Sequence, residues 1–111
     1  MTKDYNSTIA YPRDLSETDV QYRLMKALDD LGYDFRSEVK VEPKFGCRGA
    51  RLDLVVFKDG IAVVIIEVKK RDYGSAQTQQ KHYHELTGLP VIVCGGVIEI
   101  AKTISKIKEH I

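Results

Sequence analysis

The chain has 111 residues, 43% of them hydrophobic, enough for one domain with a modest core and too few for a second. Its 17 Lys and Arg residues are offset by 16 Asp and Glu, so no global basic field draws it to a polyanion or a membrane. Affinity for a polyanion must then come from a local patch.

The two cysteines, Cys47 and Cys94, lie far apart with no second thiol or histidine at zinc spacing, which fits structural thiols in a reduced, cytoplasmic protein. No apolar stretch of signal-peptide length opens the sequence. The longest apolar run, Ile61 to Ile66, is too short to span a bilayer, so a soluble protein is expected.

Residues 1–15 are polar, with scattered tyrosines and Pro12, and read as an irregular arm ahead of a single domain at 16–111. Ser16 with Asp19 three residues on marks a helix start, and Val20, Leu24, Ala27, Leu28 and Leu31 recur at helical spacing, giving a helix over about 17–31. Tyr33, Phe35, Val39 and Val41 alternate with Asp34, Arg36, Glu38 and Lys40, the period of a strand with one wet face, on which Glu38 serves solubility. Pro43 to Arg51 holds Lys44, Arg48 and Arg51, two glycines and no acid, and reads as a mobile basic loop.

A hairpin follows: apolar Leu54 to Phe57, the turn Lys58-Asp59-Gly60, and apolar Ile61 to Ile66. A polar stretch from Arg71 to Ser75 leads into a helix over about 76–87, closed by Gly88 and Pro90. Leu89 to Cys94 reads as a short strand, and Ile100, Ile104, Ile107 and Ile111 form the apolar stripe of a last helix. The order α-β-β-β-α-β-α describes an α/β domain with a mixed four-stranded sheet flanked by helices. The strand, helix, strand unit requires a parallel, right-handed crossover.

Asp53 and the triplet Glu67-Val68-Lys69 bracket the hairpin, placing two acids and a lysine where the sequence otherwise reads as core. Burying carboxylates beside an apolar sheet is costly unless a cation or many donors neutralise them, and a divalent metal does so most simply. Strand parity sets a condition. A three-residue loop would pair Phe57 with Ile61 and put Asp53 on one sheet face with Ile65, Glu67 and Lys69. A regular two-residue Asp59-Gly60 turn, without a compensating bulge, would send Asp53 and Glu67 to opposite faces. The three-residue loop is the expectation.

In that register Asp53, Glu67 and the Val68 carbonyl offer hard oxygens suited to Mg²⁺ or Mn²⁺, which polarise a phosphoryl oxygen and acidify bound water. Lys69, on the face of Glu67, can orient the attacking water and offset charge growing on the phosphate. No organic cofactor is expected.

These residues resemble the PD-(D/E)XK nuclease superfamily from Glu17 to about Gly96. Asp53 matches the first motif acid and Glu67-Val68-Lys69 the acid, any residue, lysine signature, while Leu52 stands where a proline often precedes the aspartate. Glu17 matches the glutamate of the first helix in many members, and Gln79, with Gln80 as alternative, matches a glutamine on the helix after the lysine. The sequence is most similar to small stand-alone VRR-NUC and Holliday-junction resolvase-like nucleases, and also to the N-terminal nuclease region of type I restriction motor subunits.

The resemblance implies a Mg²⁺-dependent endonuclease hydrolysing DNA phosphodiesters, acting as a homodimer on a branched target. Site-specific cleavage of duplex DNA, as in restriction or homing enzymes, is the alternative within catalysis; a DNA-binding module that keeps the fold without chemistry is the alternative outside it. Lys44, Arg48, Arg51, Lys70, Arg71 and Lys81 would rim the site and contact phosphates. His82 and His84 read as surface residues.

Overall fold

The computed structural model describes residues 16–44, 46–70 and 76–111; the expected arm at 1–15 and Arg71 lie outside them. Helix α1 (Glu17–Asp30) begins in a capping box, the Ser16 hydroxyl accepting from the Asp19 amide at 3.1 Å and the Asp19 carboxylate accepting from the Ser16 amide at 3.3 Å. That box fixes Glu17 in the first turn. Val20, Leu24 and Leu28 are its buried stripe, but Leu31, which the spacing adds to that stripe, is 55% exposed. The helix stops at Asp30, and Gly32, at φ +80°, turns the chain away before another turn can reach the core.

Strands β1 (Asp34–Val41), β2 (Ala50–Lys58) and β3 (Ile61–Lys69) precede helix α2 (Ala76–Thr87), strand β4 (Val91–Gly95), a 3₁₀ turn at Val97–Glu99 and helix α3 (Ile100–Lys108). The sheet order is β1-β2-β3-β4, the first two pairings antiparallel and β3–β4 parallel, so the architecture is the mixed α/β sheet expected from the sequence. Helices α1 and α3 cover one face, packing Val20, Leu24, Leu28 and Ile107 on Leu54, Val56, Val64 and Ile66. Tyr83 of α2 packs with Leu52, Val55 and Ile65 on the other. Among the described residues no helix is long and apolar enough to cross a membrane.

Three local expectations change, and each change bears on the site. The hairpin turns on two residues, not three: Lys58 pairs with Ile61, and Asp59 and Gly60 both take positive φ (53° and 79°), the signature of a type I′ turn. By itself this register would set Asp53 and Glu67 on opposite faces. A bulge restores them: Phe57 pairs with Ala62 but Val56 with Val64, leaving Val63 as an extra residue in β3. One step beyond the Leu54–Ile66 pair, Asp53 stands opposite Glu67 rather than Ile65.

The second change is in β1, where the simple alternation breaks. Phe35 and Leu54 pack on the α1 face, whereas Val39 and Leu52, two or four residues away on the same strands, pack on the α2 face. The β1–β2 register is unbroken on both sides of the break, from Ser37–Leu54 to Val39–Leu52. Between those pairs lies Glu38, a non-glycine residue at φ +53°. A left-handed residue inside a strand turns the ribbon over, so both strands exchange faces at the step of Glu38 and Asp53.

Third, the basic segment is shorter and better tied than a mobile loop. β2 already begins at Ala50, taking Arg51 into the sheet, and Lys44 and Cys47 exchange backbone hydrogen bonds of 3.1 and 2.8 Å.

Leu24 has no exposed surface, and Leu24→Ala is expected to lower unfolding free energy by about 2–5 kcal/mol. Leu31→Ala should stay within about 0.5 kcal/mol of wild type. Urea denaturation followed by circular dichroism measures both; equal losses would contradict this helix boundary.

Candidate active site

One row across the sheet carries the site: Glu38 of β1, Asp53 of β2, and Glu67 of β3 at the β4 residue Val93. Adjacent strands are about 4.8 Å apart, so these acids are close neighbours. The Asp53 carboxylate accepts from the Val68 amide at 2.8 Å, which holds its head at the β2–β3 seam. Glu67 is buried, with 4% of its surface exposed. Its Oε1 lies 3.4 Å from the Lys69 ammonium, itself mostly buried, while its Oε2 is buried without a hydrogen-bond partner. Asp53, Glu67 and Lys69 are thus brought together, as the sequence expects.

Electrostatics follow from that burial. Desolvation, and secondarily the neighbouring Asp53 charge, push Glu67 up to about 7, with Lys69 opposing the shift. Asp53 is also raised, chiefly by burial, with Glu38 and Glu17 adding repulsion and the Val68 amide opposing. An orphaned carboxylate oxygen beside a second raised carboxylate is the donor chemistry that a hard divalent cation neutralises. Among the described residues no group of three His, Cys, Asp or Glu is placed to hold a metal ion.

Glu17 lines a cleft of about 500 Å³ with Gln21, Tyr22, Glu38 and Asp53, so the first-helix glutamate faces the site across open space. Gln79 donates from Nε2 to the Tyr83 hydroxyl at 3.4 Å. Gln80, the alternative, donates instead to the Val91 carbonyl at 3.1 Å and ties α2 to β4. The Tyr83 phenol is raised by burial and then by the charges of Glu67 and Asp53, with Gln79 and Arg48 opposing.

Of the basic residues, Arg48 is near enough to act on Tyr83, and Arg51 lies 4.0 Å from Glu38. Lys44 and Lys81 are exposed and Lys70 is half-buried; Arg71 lies outside the described residues. His82, expected on the surface, is half-buried with Nε2 3.5 Å from the Gly49 carbonyl, linking α2 to the segment before β2. His84 is exposed, with Nδ1 2.8 Å from the Leu89 carbonyl.

Two participants escaped the sequence. Glu38 is exposed, as its place on the wet face of β1 implies, but it also accepts from Gln21 and adds repulsion to Asp53, which the alternation did not signal. Gln21 donates from Nε2 to both the Glu38 carboxylate at 3.1 Å and the Asp53 carbonyl at 3.3 Å. Its one available signal was its place four residues after Glu17, on the same side of α1.

The model of one protein family, described as type I restriction enzyme R protein N terminus, matches residues 35–92, just over half of the chain, and spans β1 through α2 into β4. Among curated proteins and among solved structures nothing matches.

Because Glu67 binds its proton more tightly folded than unfolded, the metal-free protein should lose stability as pH rises from about 4.5 to about 7. Glu67→Gln removes that penalty. In EDTA, its melting temperature should exceed wild type at pH 8 by on the order of 5 °C, with the gap closing toward pH 4.5. A gap independent of pH would contradict the burial of this carboxylate.

Proposed function

The chain belongs to the type I restriction enzyme R protein N-terminal family, a restriction-enzyme-related nuclease domain of PD-(D/E)XK type, and on that premise we propose that it is a Mg²⁺- or Mn²⁺-dependent endonuclease hydrolysing DNA phosphodiester bonds. The observation that carries the proposal is the meeting of Asp53, Glu67 and Lys69 around a buried carboxylate oxygen without a partner.

Asp53 and Glu67 would hold the metal, with the Val68 carbonyl as a further oxygen. The bound ion would polarise the scissile phosphoryl group and lower the pKa of a water ligand. Lys69, fixed 3.4 Å from Glu67, orients the attacking water and stabilises negative charge on the phosphate; being mostly desolvated, its charge acts more strongly there than at the open surface. Glu17 receives a proton or water hydrogen bond across the cleft, and Gln79 orients the Tyr83 hydroxyl toward the acids.

Lys44, Arg48, Arg51, Lys70, Arg71 and Lys81 supply salt-sensitive contacts to the DNA backbone that position it without reading sequence. A net charge of only +1 is consistent with affinity concentrated in this rim. Free thiols at Cys47 and Cys94 fit a cytoplasmic protein. A homodimer presenting two symmetric sites would suit a branched DNA target. The restriction-type family match favours a second reading, cleavage of duplex DNA, for which the same residues would serve.

Plasmid, linear duplex and four-way junction substrates separate these targets, with light scattering giving the oligomeric state. With Mg²⁺, wild type should cleave and EDTA should stop it. Glu67→Ala and Lys69→Ala should each lower cleavage by about 10²-fold or more. DNA binding that survives both changes, with no turnover in wild type, would instead mark a binding module.

A further inference from the structure

Glu38 sits at φ +53° between two regular ladder pairs of β1 and β2, a conformation that costs a non-glycine residue on the order of 1–3 kcal/mol and persists only where the surroundings hold it. Three contacts converge there. The Gln21 amide of α1 donates to the Glu38 carboxylate at 3.1 Å and to the Asp53 carbonyl at 3.3 Å, and Arg51 lies 4.0 Å from the other Glu38 oxygen. At this step both strands change faces, and Asp53 is the residue delivered to the boundary.

We propose that Gln21 and Glu38 are positioning residues for Asp53: the left-handed backbone at Glu38 turns the sheet over, and the Gln21 amide locks the turned-over step to α1. The Asp53 carboxylate is thereby held at the boundary between the two faces, against the Val68 amide and open to the Glu17 cleft. Without the reversal, strict alternation from Val55 would turn Asp53 wholly to the α2 side, away from that cleft, with Leu52 on the opposite face. Gln21 also lines the Glu17 cleft, so one side chain sets both the acid of the sheet and the spacing of α1 from it. The inference rests on Asp53 being a working acid of the site, but its test does not depend on cleavage.

The Val68 amide reports the position of Asp53 directly, because it donates to that carboxylate at 2.8 Å. Its proton and nitrogen shifts can be followed by NMR in the metal-free full chain, with Asp53→Ala defining the signal of a lost bond. Gln21→Leu should move the Val68 signal toward that of Asp53→Ala and weaken Mn²⁺ binding, measured by calorimetry, about 10- to 100-fold.

Glu38→Val, which resists positive φ, should do the same, whereas Glu38→Gly, which accepts it, should keep the Val68 signal near wild type. Glu38→Gln retains an acceptor for Gln21 and should behave like wild type. A wild-type Val68 signal in Gln21→Leu overturns the proposal, and it decides alone if Glu38→Val does not fold. Absence of cleavage or metal binding in wild type would count against the nuclease reading, while the Val68 signal would still test the positioning.

Discussion

Glu67 places a carboxylate inside the sheet with one oxygen beside Lys69 and the other buried without a hydrogen-bond partner. Desolvating such a group is costly, and a single partly screened ammonium does not cancel the cost, which is why its proton is held to about pH 7. The arrangement makes chemical sense where a cation or a proton can arrive and leave. The neighbouring features follow from it: a second raised acid at Asp53, a lysine fixed by the first, and a phenol raised by both.

Two irregularities of the sheet shape the row that holds these groups. In β3, the extra residue Val63 offsets the tight Asp59–Gly60 turn and moves the register by one, so that Asp53 and Glu67 oppose each other. In β1, left-handed Glu38 reverses the faces at the next strand over. Only the Glu38 irregularity lies on the row that carries the acids; the Val63 bulge lies near the turn and acts on that row at a distance, through the register it sets. The cost of each is met by packing on both faces of the sheet.

The family match covers the strands and the helix that build this row, and leaves outside it Glu17 and Gln21 on α1. Those two residues reach the row from above, through the cleft and through the Gln21 amide. α2 reaches it from below, through Tyr83 and the Gln79 hydrogen bond. The acids therefore lie where both helical layers meet the sheet, and Arg48 and Arg51 border the same place.

The element order, the mixed sheet and the extent of α2 were legible in the sequence, and so were Asp53, Glu67 and Lys69 as charged interruptions of an apolar hairpin, because hydrophobic period, caps and charge are local signals. The sequence could not determine that Leu31 falls past the helix end, that Val63 bulges, or that Glu38 faces Asp53. A one-residue slip in a hairpin leaves the apolar pattern of Ile61 to Ile66 unchanged, since that run is apolar on both faces, and so pairing with β2 alone decides it. Glu38 likewise alternates correctly along β1; only the packing of Phe35 above the sheet and Val39 below it forces the strand to turn over between them.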